Sequence, residues 1–171
     1  MTDVVTANML RFERLLDAPV ERVWQFLVDP ALRARWFMGG PTDAAAGGKM
    51  TLTMNHDALS DGDVPTPERY SQFVGHSWQE RITRFEPPTL LGISWEDGAA
   101  GEVCFALSDA GEGRTRLVLT HSGLRGPDDT RNFGGGWHAH LAVLAARLRG
   151  DSVPDFWALH AAAEAEMERA L

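Results

Sequence analysis

The chain has 171 residues, of which 44% are hydrophobic and 23% charged, and its formal net charge is −8. These values are ordinary for a globular protein and predict one main domain with a core of its own. The acidic balance argues against nucleic acid as a partner, because phosphate backbones are bound by basic surfaces. No stretch approaches the roughly 18 consecutive apolar residues of a membrane span, so we expect no integral membrane association.

The first residues combine neither a basic segment nor an apolar one, so no secretory signal is predicted. The single cysteine, Cys104, has no partner in the chain for a disulfide, which is typical of a reducing compartment. We therefore expect a cytoplasmic protein.

The first third of the chain predicts a strand followed by two short helices. Residues 8–16 alternate between apolar and polar side chains, as in a half-buried strand. Pro19 suits the first turn of a helix, and Asp17 is the expected cap. Pro30 then ends this helix and begins a second one that leads to Trp36.

The middle of the chain predicts an antiparallel meander. Residues 50–54 alternate as a half-buried strand, and the polar segment 55–68 is expected to form an exposed hairpin tip or loop. Turn-forming Gly, Pro and Asp residues separate the strands that follow. These strands are expected near residues 70–74, 78–85, 90–95, 102–107 and 114–121.

The last third predicts two helices. A long helix is expected from about Thr130 to Gly150, where glycine is a common C-terminal cap. Its apolar stripe includes Trp137 and Leu141. An amphipathic helix is expected over residues 154–169.

Several short motifs, taken in order, resemble a known superfamily. They are Asp17-Ala18-Pro19-Val20-Glu21-Arg22-Val23-Trp24, Phe85-Glu86-Pro87-Pro88 and Gly136-Trp137-His138-Ala139-His140-Leu141. In order and spacing they are similar to the helix-grip fold of the START-like (SRPBCC) superfamily, in its branch of activator-of-heat-shock-protein-ATPase homologues. The resemblance implies an α+β fold in which a curved antiparallel sheet of six or seven strands wraps around a long C-terminal helix. It covers about residues 1–150, and residues 151–171 would add a helix that packs on the same domain or on a dimer partner.

A curved sheet does not lie flush along a straight helix, so this architecture implies a cavity between them. Such cavities are mostly apolar with a few placed polar groups. Strand alternation and the helix stripe name the candidate lining: Trp36, Met50, Leu52, Met54, Phe73, Trp78, Trp95, Phe105, Leu119, Trp137, His140 and Leu141.

The polar residues predict no metal site and no cofactor. His138 and His140 fall on nearly opposite faces of a helix, and no other His or Cys pair has ligand spacing. Three side chains, Glu80, His121 and His140, are weak catalytic candidates that would polarise a substrate inside the cavity. For Glu80 the alternative is a solvent-facing cross-strand ion pair.

We therefore expect a binding protein for an apolar or amphipathic small molecule, lipid-like or polyketide-like. Two alternatives stay open: a cyclase- or hydrolase-like enzyme that uses the same cavity, and a co-chaperone-type regulatory partner. Fold alone does not separate them, since unrelated functions share folds. The sequence leaves both a monomer and a homodimer open.

Overall fold

The computed structural model describes residues 3–171. The strands are β1 (Val4–Val5), β2 (Met9–Leu16), β3 (Lys49–Thr53), β4 (Ser77–Glu86), β5 (Leu90–Ser94), β6 (Glu102–Gly111) and β7 (Arg114–Ser122). The α-helices are α1 (Val20–Val28), α2 (Pro30–Arg33), α3 (Glu68–Ser71), α4 (Pro127–Arg149) and α5 (Phe156–Ala170), and 3₁₀ turns span His56–Leu59 and Glu96–Gly98. Within this part of the chain the strands form one seven-stranded antiparallel sheet in the order β1-β2-β7-β6-β5-β4-β3. The predicted α+β helix-grip architecture is confirmed.

The sheet owes its buried face to alternating side chains. On β2, Leu10 and Phe12 are fully buried, and β2 pairs with β7 from Met9 opposite Ser122 to Leu16 opposite Thr115. A shift of register between Ile82 and Arg84 interrupts the pairing of β4 with β5. Such a bulge bends a strand, which helps the sheet to curve around α4.

The two short helices begin as proline predicts, but their capping differs from the expectation. Pro19 itself is the residue that precedes α1, with an extended backbone, and no side chain caps this helix. The prediction for Asp17 was therefore wrong, because the helix begins at Val20 and leaves Asp17 outside its first turn. Asp29 caps α2 instead, accepting hydrogen bonds from the backbone N–H groups of Ala31 and Leu32.

A buried arginine fixes the connection from α2 to β3. The Arg33 guanidinium is 2% exposed and donates to the carbonyl oxygens of Leu27, Met38, Gly40 and Thr51, and to the Thr42 hydroxyl. Burial lowers the pKa of Arg33 to about 10. The side chain satisfies backbone oxygens that would otherwise lack partners inside the protein.

The segment between β3 and β4 corrects two predictions. Residues 55–68 are not an exposed tip: the 3₁₀ turn buries His56 and Leu59, and the Ser60 hydroxyl accepts a hydrogen bond from the Phe156 N–H at 2.8 Å. Residues 70–74 are not a strand, since α3 and a series of turns occupy this region. Tyr70 turns toward α5, where its ring stacks on Trp157, so its neighbours do not alternate across a sheet.

Helix α4 packs on the sheet at β2, and α5 packs against α4. Gly150 ends α4 with a left-handed backbone (φ 77°), as predicted for its C-terminal cap. Buried residues of α5 include Phe156, Trp157 and Met167. Across residues 3–171, no helix is both long and apolar enough to cross a membrane.

Candidate ligand cavity

A cavity of about 460 Å³ lies between the sheet and α4. Its size falls within the roughly 300–1,000 Å³ that is typical of small-molecule sites. Its lining includes Trp78 of β4, Trp95 directly after β5, and residues of α4. The segment from Met54 to His76 and helix α5 complete the wall. The cavity opens to solvent beside Phe73 and Trp78, which are 43% and 36% exposed.

The wall is built mainly of rings. Its aromatic residues are Phe37, Tyr70, Phe73, Trp78, Trp95, Phe133, Trp137 and Trp157. The remaining lining residues are Met38, Met54, His56, His76, Glu96, Asn132, Gly136, His140 and His160.

Three of these rings form the floor. Trp137 lies 5.0 Å from Phe37 and 5.2 Å from Trp95 between ring centroids. Aromatic pairs at such separations favour tilted or offset contacts, which stabilise a fixed arrangement of rings. The floor therefore consists of rings that pack on one another and present π surfaces to the cavity.

His121 holds Trp137 in place. The Trp137 Nε1–H donates to Nδ1 of His121 at 3.0 Å, and Nε2 of His121 donates to the Ala100 carbonyl at 2.8 Å. Burial lowers the pKa of His121, so the ring is neutral at pH 7 with its proton on Nε2. Both ring nitrogens are occupied, and His121 positions an aromatic wall residue.

Glu80 has a similar positioning role at the rim. Its buried carboxylate accepts hydrogen bonds from the Trp78 indole, the Ser94 hydroxyl and the backbone N–H groups of Glu96 and Asp97. Glu96 and Asp97 have left-handed backbones, with φ of 50° and 54°. These hydrogen bonds stabilise the turn that holds Glu96 at the cavity, and one of them fixes the indole of Trp78 on β4. The buried Glu80 is therefore not part of a solvent-facing ion pair.

His140 is the catalytic candidate that lies in the cavity wall. Its Nδ1–H donates to the Trp36 carbonyl at 2.8 Å, which fixes the neutral tautomer with a lone pair on Nε2. Complete burial and the neighbouring His56 hold the pKa of His140 well below its ordinary value. Glu80, His121 and His140 make separate hydrogen bonds with different partners, so the structure does not bring them into one catalytic group.

A cluster of rings that the sequence did not indicate lies beside His140. The His56 ring is 4.8 Å from His140, and burial together with His160 lowers the pKa of His56 to about 4. Nδ1 of His56 and Nε1 of Trp157 are buried without a hydrogen-bond partner. At the edge of the cluster, His160 pairs with Glu164 at 3.2 Å.

Neither metal nor thiol chemistry is indicated. Among residues 3–171, no group of three His, Cys, Asp or Glu side chains is arranged to hold a metal ion. Cys104 is half-buried, its thiol donates to Glu102 at 3.3 Å, and burial raises its pKa to about 11. A thiol with so high a pKa is a weak nucleophile at pH 7.

In the structure, the residues predicted to line the cavity fall into three groups. Met54, Phe73, Trp78, Trp95, Trp137 and His140 line the cavity. Trp36, Met50 and Phe105 instead surround a small void of about 10 Å³, and Leu52, Leu119 and Leu141 are fully buried in the core. Trp36 is held there by a hydrogen bond from its indole to the Phe26 carbonyl at 2.8 Å.

Two lining residues that were not predicted could have been identified from the sequence. Phe133 and Gly136 lie four residues before Trp137 and His140, so helix periodicity places them on the same face. No comparable signal marks His56, Trp157 or His160, which reach the cavity through tertiary packing.

Solved structures support the fold. The solution NMR structure of the protein encoded by gene BPP1335 from Bordetella parapertussis is 41% identical, covering 100% of this chain and 96% of that chain with a TM-score of 0.81. The crystal structure of CalU16 from Micromonospora echinospora is 25% identical, covering 98% and 93% with a TM-score of 0.70. DynU16, a protein in the dynemicin biosynthetic locus, is 21% identical, covering 84% of this chain and 48% of that one with a TM-score of 0.61, and is similar in fold alone.

A comparison with curated proteins finds no match. The family described as Activator of Hsp90 ATPase homolog 1-like protein matches residues 17–149, which span strand β3 to β7, both short helices and α4. With that match and the 41% identical structure, the chain belongs to the Activator of Hsp90 ATPase homolog 1-like family.

Proposed function

We propose that this protein binds a planar, uncharged small molecule, apolar or amphipathic, in the cavity between the sheet and α4. The observation that carries the proposal is a cavity of about 460 Å³ whose wall consists mainly of aromatic rings. A fixed π surface favours another flat ring, since stacked and edge contacts add about 0.5–1.5 kcal/mol to the burial of apolar area. Of the two ligand classes expected from the sequence, a polyketide-like ring system therefore fits better than a lipid chain.

The charges of the wall argue for an uncharged ligand. Among the described residues that line the cavity, none is Lys or Arg, and Glu96 is acidic. Burial lowers the pKa values of His56, His140 and His160, which favours the uncharged form of these rings. An anionic ligand would lose its hydration without gaining a cationic partner.

The similarity to other proteins is compatible with a small-molecule ligand. DynU16, which shares the fold, belongs to a biosynthetic locus. We also propose a cytoplasmic location, because a single cysteine, Cys104, without an intrachain disulfide partner is typical of a reducing compartment.

A pair of fluorescent probes tests the proposal. N-phenyl-1-naphthylamine is neutral, and 1-anilinonaphthalene-8-sulfonate is the same ring system with an anionic group. We expect the neutral probe to bind more tightly and to be displaced by planar ring compounds. Tighter binding of the sulfonate, or no binding of either probe, would contradict the proposal.

Matched variants locate the binding site. Phe133 lines the cavity, whereas Phe85 packs on Trp24 outside it, and both side chains are half-buried. Phe133→Leu is expected to weaken binding of the neutral probe, while Phe85→Leu leaves it close to wild type. Native mass spectrometry of freshly purified protein would identify any ligand that co-purifies, together with the mass of the oligomer.

A further inference from the structure

Three consecutive glycines in α4 have different surroundings. A Cβ added to Gly134 would lie 2.7 Å from the Met167 sulfur, and one added to Gly135 would lie 3.0 Å from Cγ of Glu164. These two glycines therefore allow α4 and α5 to approach closely. A Cβ added to Gly136 would meet no heavy atom within 4 Å.

Packing does not explain Gly136. Glycine in a helix interior is less favourable than alanine by about 1 kcal/mol, and α4 continues for three further turns beyond this position. Gly136 lines the cavity, so the space beside it is cavity space. The absent side chain leaves a bare stretch of helix backbone in an otherwise aromatic wall.

One turn further along α4, His140 presents an unused acceptor. The side chain is 4% exposed, its Nδ1–H is held by the Trp36 carbonyl, and no group within residues 3–171 donates to Nε2. Unlike Nδ1 of the neighbouring His56, Nε2 of His140 is accessible from the cavity, where a donor on a ligand can reach it. Four residues of helix place Gly136 and His140 about 6 Å apart along the axis, on one face of α4.

We propose that the ring system of the ligand lies against the bare backbone at Gly136 and that a hydroxyl group on the ring donates a hydrogen bond to Nε2 of His140. This inference rests on the proposed function and narrows the ligand to a planar aromatic compound with a hydroxyl group. Gly136 determines which shapes enter, because any side chain there would occupy the space of the ring. His140 distinguishes a hydroxyl from an ether or a bare ring edge.

The test uses three neutral fluorescent probes: 1-hydroxypyrene, 1-methoxypyrene and pyrene. Gly136→Ala is expected to raise the urea midpoint of unfolding, because alanine favours the helix and meets no steric obstacle. The same variant should weaken binding of all three probes, and Gly136→Leu should weaken it further. If Gly136→Ala stabilises the fold yet reduces the affinity for the probes, Gly136 contacts the ligand and its role is not structural.

His140→Asn tests the hydrogen bond. Asparagine keeps a donor for the Trp36 carbonyl but has no atom at the position of Nε2. We expect H140N to lower the affinity for 1-hydroxypyrene about fivefold more than it lowers the affinities for 1-methoxypyrene and pyrene, the effect of one hydrogen bond. In the wild-type protein, the ¹⁵N chemical shift of His140 Nε2 should move with 1-hydroxypyrene and not with 1-methoxypyrene, a measurement that does not depend on the folding of H140N.

The possible failures are distinguishable. If no probe binds the wild-type protein, the proposed function is wrong and this inference falls with it. If the probes bind but G136L leaves their affinities unchanged, the proposed contact between the ligand and Gly136 is wrong while the proposed function stands. If H140N and the ¹⁵N shift do not discriminate between the hydroxyl and methoxy probes, the role of His140 is wrong.

Discussion

Acid should destabilise this protein through His56. In the folded state its pKa is about 4, against an ordinary value of 6.5, because the ring is buried and lies near His160, with Asp57 offsetting part of the shift. At a pH between these two values, His56 is protonated in the unfolded chain and neutral in the folded chain. Stability contributed by the neutral ring is therefore complete above pH 6.5 and is lost as the pH falls toward 4.

The size of the effect follows from the two pKa values. For one group with these values, the free energy of unfolding falls by about 2 kcal/mol between pH 7 and pH 5. This is a large part of the 5–15 kcal/mol that stabilises a typical domain. His140, whose pKa is also lowered by burial, acts in the same direction.

Urea unfolding at pH 7 and pH 5, followed by far-UV circular dichroism, measures this loss. In His56→Phe the titrating ring is gone, and we expect the difference between the two pH values to shrink by about 2 kcal/mol. Leu144→Ala, which truncates a fully buried residue of α4, is the control: it should lower stability at both pH values and keep the wild-type difference. If H56F loses as much stability as the wild type between pH 7 and pH 5, the assignment of the effect to His56 is wrong.

Three further substitutions test the supporting structure. Arg33→Met should lower the free energy of unfolding by about 3 kcal/mol or more, measured in urea, because it leaves several buried carbonyl oxygens without a donor. Glu80→Gln should accelerate hydrogen exchange at the N–H groups of Glu96 and Asp97, because an amide offers one acceptor oxygen instead of two; unchanged exchange would contradict the positioning role. Gly134→Ala should destabilise the protein by about 1–3 kcal/mol through overpacking, the opposite of Gly136→Ala, and equal effects would refute the distinction between the two glycines.

Much of the fold could be predicted because its signals are local. The alternation that buries Leu10 and Phe12, the proline at position 30 and the glycine at position 150 each specify a strand, a break or a cap within a few residues. The failure at residues 70–74 has a tertiary cause. Tyr70 is placed by its stacking on Trp157, 87 positions later in the chain, and no local period encodes that contact.

The cavity was predictable only in part, because facing inward and facing the cavity are different properties. Strand alternation turns Leu52, Leu119 and Trp95 toward the same side of the sheet. An inward side chain packs directly on α4 where the sheet lies close to this helix. It faces the cavity where the distance between the sheet and α4 is larger. Leu52 and Leu119 lie in the filled part and Trp95 in the open part, a distinction made by sheet curvature rather than by residue type.

The family match does not cover the whole cavity wall. The match ends at residue 149, whereas Trp157 and His160 of α5 also line the cavity. Trp157 stacks on Tyr70 with ring centroids 5.2 Å apart, so α5 and the segment between β3 and β4 close the same side together. The gap between the sheet and α4 is bordered at Gly136, at His140 and along α5 by particular residues of this chain. The ligand preference that we propose therefore depends on these residues, and the family match alone does not specify it.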